Sequence, residues 1–300
     1  MSASGAGVRF GLSRFAQSSS DWRDKGRLAE QSGFDVLWAP DHLFHFSRPD
    51  EPLLDGWVTL AAWAATTTRI RVGMLITNLS WRPPVLVARA AAALDQVSDG
   101  RLELGIGAGA FADQAMAGML DMSPRERVAR LAEGVGVIDR LLRGDLTPFA
   151  GTFSTYEKAS MAPGCVQTPR PPITIGANGD NAMKVAAQHA DVWNTWGGGD
   201  LPLDEFFDAT LRRSRRLDQY CIDIGRDPST LRRSLLVYPR FVDVWADKGA
   251  AGALIEQFFA VGFTEFVFYW PGEDQKPVFE HFIGRVMPTW QNSASAPPSP

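Results

Sequence analysis

The sequence is short of several residues and patterns whose absence narrows its class. It has only two cysteines, Cys165 and Cys221, far apart and each without a second cysteine nearby. A disulfide scaffold and a cysteine zinc site are disfavoured, and the usage fits a reducing cytosol. Lysine is scarce, 5 residues against 25 arginines, a bias that speaks of a GC-rich genome more than of function. No uncharged apolar run reaches about 18 residues, so no membrane span is expected. The N-terminus, MSASGAGVRF, lacks the charged start and apolar stretch of a secretory signal, and a cytoplasmic location is expected. Positive charge is not in surplus: the net charge is −4, which argues against a nucleic-acid partner. The one dense basic run, Arg212, Arg213, Arg215 and Arg216, reads first as a solvated helix face.

What is present is apolar material in a regular rhythm. Hydrophobic residues make up 45% of the 300-residue chain and charged residues 21%, enough for a large core. Strand-like runs fall at residues 8–12, 34–39, 70–77, 101–106, 173–175, 191–195, 234–238 and 265–269. A helical pattern follows each, at about 21–32, 55–66, 84–98, 124–142, 180–189, 203–222, 248–261 and 277–290. Pro84 suits a first helical turn, where its missing N–H would be unpaired anyway. The strand runs are nearly continuous in apolar residues, as parallel strands buried on both faces should be. Eight strand–helix units predict a (β/α)8 TIM barrel, one domain over residues 1–290 with an irregular insertion around 143–172. A doubly wound sheet is the rival and would need a reversal in strand order. The polar, proline-rich residues 291–300 are expected to be disordered.

In such a barrel the chemistry gathers just past the C-terminal ends of the strands. After the second strand comes APDHLFHF, where Asp41, His42 and His45 suggest proton or hydride chemistry, since histidine titrates near neutrality. A structural Asp41 or a metal site are the alternatives, and the metal reading finds no third ligand cluster at another strand end. TNLSWRPP brings Asn78, Ser80 and the flat wall of Trp81. In GIGAGAFA, Gly107, Gly109 and Ala112 have the spacing of a dinucleotide fingerprint. It is discounted: it follows the fourth strand, and no acidic residue closes a following strand about 20 residues on. IGANGDN, after the fifth strand, runs from strand through a glycine turn to a helix start, where backbone N–H groups and the helix dipole favour an anion. A bare turn is the alternative. Phe44, Trp81, Phe111, Trp196 and Trp270 line the presumed mouth and point to an apolar substrate or, for some of them, a dimer interface.

Together the segments GFDVLWAPDHLF, RIRVGMLITNLSWRPPVLVARAAAALDQVSDGRLELGIGAG and RPPITIGANGDNAMKVAAQHADVWNTW resemble the bacterial luciferase-like superfamily. These are barrel oxidoreductases that use FMN or the deazaflavin coenzyme F420. The resemblance implies a ring across the barrel mouth and a ribityl phosphate at the turn formed by Gly176, Ala177, Asn178 and Gly179. It implies a non-proline cis peptide near Met74–Leu75 supporting the ring, with Thr77 and Gly107 also against the cofactor. Asp41 and His42 match the positions that meet the ring head in deazaflavin members, and DHL leans toward that branch. Of the mouth aromatics, Phe44, Trp81, Phe111 and Trp196 are expected to form the substrate pocket. One departure stands out: Ala110 occupies a position often Trp or Glu, so a sugar-phosphate substrate and its acid are not carried over.

The expectation is a hydride transfer between F420 and a small organic substrate, with His42 handling the proton and Asp41 ordering the ring edge, and no metal. The alternative is an FMN-dependent monooxygenase, fed by a separate reductase. Two other readings are a flavin-binding protein with little turnover and an NAD-linked dehydrogenase. A homodimer is expected.

Overall fold

A computed structural model describes residues 7–13, 19–45, 50–109, 122–197 and 205–293, with Met116 and Gly118. Eight parallel strands close into a barrel: β1 (Arg9–Ser13), β2 (Val36–Ala39), β3 (Arg71–Asn78), β4 (Leu102–Gly107), β7 (Ile173–Gly176), β8 (Val192–Thr195), β9 (Arg232–Val237) and β10 (Glu265–Tyr269). The order around the ring follows the chain without reversal, which excludes the doubly wound sheet. The expected (β/α)8 barrel is the observed one.

The outer layer comprises α1 (Ser19–Gln31), α2 (Gly56–Thr66), α3 (Pro84–Val97), α4 (Pro124–Leu142), α5 (Asp180–His189), α6 (Phe206–Asp223) and α7 (Ala250–Phe259). Local chemistry sets the starts. Asp55 caps α2 by accepting from the Val58 N–H, Ser123 caps α4 through Glu126, and Pro84 opens α3. Residues 143–172, expected to be irregular, hold a short antiparallel hairpin of β5 (Phe149–Ala150) and β6 (Thr155–Tyr156). The last helix, expected to be continuous, is broken into α8 (Lys276–His281), a π-helical turn (Phe282–Val286) and α9 (Met287–Gln291), with Pro288 just after the turn. It covers the β1–β10 seam. Phe282 meets Phe10 edge-on at 5.5 Å and Trp245 at 5.5 Å, and the Trp290 carbonyl accepts from the Val8 N–H.

Alternate strand residues face outward into this layer: Phe10, Leu12, Val72, Met74, Leu104, Ile106 and Trp193 are all buried there. The inward set is different at each end. At the N-terminal end it is ionic. Glu103 Oε1 accepts from Arg9 Nη2 (2.6 Å) and Arg71 Nε (2.7 Å), and Glu265 accepts from Arg9 (3.1 Å) and Arg232. Glu103 is 1% exposed. Its burial alone would raise its pKa, but the charges of Arg9 and then Arg71 outweigh that and hold it below the usual carboxylate value. At mid-height the Trp38 ring lies where Gly11 and Gly73 would carry a Cβ, 2.6 and 2.4 Å away, and so fills the barrel.

The lowered pKa fixes the sign of a pH effect. Glu103 adds stability that is fully present above its unfolded value of ~4.3 and is lost as pH falls through its folded value. Glu103→Gln is expected to cost roughly 3–5 kcal/mol in urea unfolding at pH 7, because it removes a buried carboxylate shared by Arg9 and Arg71 and leaves Arg71 without an ion pair. The gap between wild type and variant should shrink below about pH 4. A gap that does not change with pH would contradict this.

Candidate active site

The mouth at the C-terminal end is shaped by β3. Its pairing to β4 slips between Met74 and Thr77, and the Leu75–Ile76 peptide is cis. The cis bond thus lies one residue beyond the expected Met74–Leu75. Past the slip, Ile76 packs with Trp38, Leu75, Leu236 and Val267, and Trp196, Tyr238 and Tyr269 join the same cluster. A Cβ on Gly107 would meet Ile76 Cδ1 at 1.9 Å, and one on Gly176 would meet it at 2.8 Å. These two glycines therefore make room for Ile76. Gly109 (φ +81°) makes room in the same way for Asn78, whose Oδ1 would lie 1.9 Å from a Cβ. The fingerprint-like glycines of GIGAG are accounted for by packing against β3, which leaves the dinucleotide reading without support.

Asp41 follows β2 and is 2% exposed. It accepts from the Asn78 N–H (3.0 Å) and forms a two-pronged pair with Arg82, Nε and Nη2 each at 2.7 Å. Arg82 also reaches Asp55 (3.1 Å) and lies over the Trp81 ring, 4.6 Å from its centre. Burial disfavours the Arg82 charge, but Asp41 and then Asp55 overcome this and raise its pKa. Asp41 thus staples the β2 and β3 ends together. Asp55, not Asp41, is the helix cap. His42 and Phe44 follow and are half-buried.

Beyond β7 the chain turns through Ala177, Asn178 and Gly179 into α5. The Ala177 carbonyl accepts from Trp193 Nε1 (2.8 Å), and Asn178 Oδ1 accepts from the Thr195 hydroxyl (2.7 Å). Gly179 sits at the N-cap with no side-chain cap, and a Cβ there would meet nothing within 4 Å. The first N–H groups of α5 have no intrahelical partner. They face a cleft of about 330 Å³ lined by Asn178, Gly179, Asp180, Ala209, Arg212, Arg213 and Arg216. Three arginines read as a solvated face thus meet the candidate phosphate turn, and only the fold brings them together.

The remaining expected residues divide. Leu75 and Trp196 lie at the mouth. Met74 does not: it is fully buried on the outer side, and Gly56 would put a Cβ 3.1 Å from its sulfur. Thr77 is fully buried with its hydroxyl unpaired. Trp270 packs against Phe279 with the rings tilted and their centres 5.9 Å apart, and is not part of the mouth cluster. Phe111 and Ala110 lie outside the described residues. The sequence reading missed Tyr238, just past the end of β9, and Tyr269, the last residue of β10, whose ring centres are 4.9 Å apart. Burial, and then Tyr238, push the Tyr269 hydroxyl well above its ordinary 10, so it stays protonated. Their signal was their place at two strand ends in VYPRF and FYWPGED. Among the described residues no three His, Cys, Asp or Glu side chains gather as a metal would need, and no helix is long and apolar enough to cross a membrane.

The glycine packing is testable by a double-mutant cycle. Gly107→Ala should destabilise the fold by roughly 1–3 kcal/mol through overpacking. Ile76→Val removes only the clashing δ-carbon, so the double variant should recover at least about 1 kcal/mol relative to additivity in thermal or urea unfolding. Strict additivity would contradict the packing account.

The site can now be set beside known proteins. Over 228 residues the chain is 31% identical to an F420-dependent glucose-6-phosphate dehydrogenase of Nakamurella multipartita, a match covering 71% of this chain and 65% of that one. Over 269 residues it is 29% identical to an F420-dependent hydroxymycolic acid dehydrogenase of Mycobacterium tuberculosis, covering 88% and 69%. The fold superposes on the coenzyme F420-dependent tetrahydromethanopterin reductase of Methanopyrus kandleri with a TM-score of 0.77 at 18% identity, covering 95% of this chain and 100% of that one. The sequence pattern of the luciferase-like monooxygenases matches residues 8–262, from β1 through α7. With that match over most of its length, on a closed barrel of the expected order, the chain belongs to the luciferase-like monooxygenase family.

Proposed function

We propose that this protein is a coenzyme F420-dependent oxidoreductase that passes a hydride between the coenzyme and a small organic substrate. The observation that carries the reading is the turn at Gly179: an open helix start facing an arginine-lined cleft, one strand away from a flat apolar mouth. The residues present fit a ring with an anionic chain. Space in front of Gly179 is free, the α5 N–H groups and Arg213 supply donors, and Leu75, Ile76, Trp196 and Tyr238 supply an apolar floor. Both dehydrogenase relatives are named as F420-dependent, which favours the deazaflavin over FMN.

When bound, the coenzyme supplies the hydride chemistry, and the chain supplies binding, orientation and proton handling. His42 is assigned the proton, given or taken at its imidazole. Asp41 acts at one remove: with both oxygens engaged by Arg82 and Asn78, it positions the segment that carries His42. Tyr269, held protonated by its burial and by Tyr238, adds an aromatic wall to the mouth. The aromatic lining excludes water and suits an apolar substrate. The cysteines are both free thiols, with burial pushing Cys165 up to about 11, consistent with the cytoplasm we assign. A homodimer is proposed through α2 and α3, where Val58 is 68% and Leu86 64% exposed. The second reading, an FMN monooxygenase with a separate reductase, rests on the same turn, which suits either phosphate. A deazaflavin reacts poorly with oxygen, so turnover coupled to oxygen uptake would favour FMN.

Fluorescence titration with F420 and FMN side by side tests the reading: F420 should bind more tightly, and tighter FMN binding would overturn it. His42→Ala should keep coenzyme affinity and lower turnover by about 10²-fold or more, and unchanged turnover would remove His42 from its role. Gly179→Val has room for its side chain and an ordinary φ of −89°, so it should fold yet bind coenzyme much more weakly. Equal affinity would count against the turn. Val58→Glu with Leu86→Glu should convert the dimer to a monomer in light scattering, and an unchanged mass would exclude this face.

A further inference from the structure

Arg82 stands where three elements meet. Its Nε and Nη2 donate to the two Asp41 oxygens, just past the end of β2, at 2.7 Å each. The same Nη2 reaches Asp55 (3.1 Å), which caps α2 by accepting from the Val58 N–H (3.0 Å). Its backbone N–H donates to the carbonyl of Asn78, the last residue of β3, at 3.2 Å. Its guanidinium also lies 4.6 Å from the centre of the Trp81 ring.

The local sequence prepares this placement. Asn78 Oδ1 accepts from the Ser80 N–H and hydroxyl, which closes the turn ahead of Arg82. Pro83 restricts Arg82 to extended backbone, and Pro84 begins α3. The planar fork is therefore carried on a backbone with little freedom left, and less entropy is lost in making each bond. The contacts differ in weight. Asp41 is 2% exposed, and Arg82 is the one cation that meets it among the described residues. Asp55 is exposed and its contact is longer, so that pair contributes little. Without the fork, buried Asp41 keeps only the Asn78 N–H as a donor. Such a carboxylate must take up a proton or turn toward water, and His42, the next residue, moves with it. A lysine cannot replace the fork, because it brings the charge without two parallel donors or a flat face.

We infer that Arg82 is a positioning residue of the site, holding His42 in place through its fork on Asp41. This rests on the role given to His42 above. NMR of the whole protein with labelled histidine rings tests it without a substrate. The chain has four histidines, His42, His45, His189 and His281, so single substitutions assign each line. Arg82→Lys, which keeps the charge, should shift the His42 line. The lines of His189 and His281, at the ends of α5 and α8, should stay where they are. Asp41→Asn should shift the His42 line too, and the double variant should shift it no further than the larger single change, since both act through one contact. Asp55→Asn keeps a capping side chain and removes only the exposed pair, so the His42 line should not move. An unmoved His42 line in Arg82→Lys, additive shifts, an equal shift in Asp55→Asn, or movement of all four lines together would each overturn the role. The proton chemistry of His42 and the choice of coenzyme are read by turnover and titration, so the positioning role and the functional reading can fail separately.

Discussion

Ile76 and the glycines opposite it set the terms for the rest of the mouth. Its side chain occupies the space that a Cβ on Gly107 or Gly176 would take, and the β3 slip that puts it there moves the strand end relative to β4. The result is a floor of Leu75 and Ile76 with Trp196 and the two tyrosines around it. Gly176 then opens into the turn that starts α5. The constraint under the floor and the constraint on the turn are thus one packing event, shared by β3, β4 and β7. That couples the ring end of the site to its anion end: a change at Ile76 should be felt at both.

The charges of the barrel are sorted by end. At the N-terminal end, Arg9, Arg71 and Arg232 share two carboxylates, Glu103 and Glu265, within the barrel, and these pairs tie the strands together. At the C-terminal end the pairing is of two kinds. Asp41 and Arg82 are matched and buried, and they tie the β2 and β3 ends into one unit. Arg213, by contrast, donates to the Gly197 carbonyl and makes no ion pair among the described residues. Beside the α5 start, a guanidinium without an ion pair suits an anion.

Much of this was legible in the sequence, for physical reasons. Short apolar runs alternating with amphipathic ones can close only a few ways, and residues 173–184 carried the strand, turn and helix start in one unbroken segment. Local signals also set the helix starts at Asp55 and Pro84. What escaped depended on contact between distant segments. Arg213 lies 34 residues beyond Gly179 in the chain, and nothing in a basic run says which way it faces. Met74 was expected at the ring because it neighbours the irregular peptide, but the strand's alternation turns it outward under α2. Asp41 was read as a ring contact because its partner, Arg82, comes 41 residues later. The hairpin in residues 143–172 is too short to leave a period.

The central claim is that one continuous site runs from the barrel floor to the start of α5. A crystal structure of the protein with F420 bound measures this directly. The account predicts the ring against Leu75 and Ile76 and phosphate oxygens accepting from the Gly179 and Asp180 backbone N–H groups. A phosphate bound at the N-terminal end of the barrel, or a ring held away from the β3 slip, would contradict it.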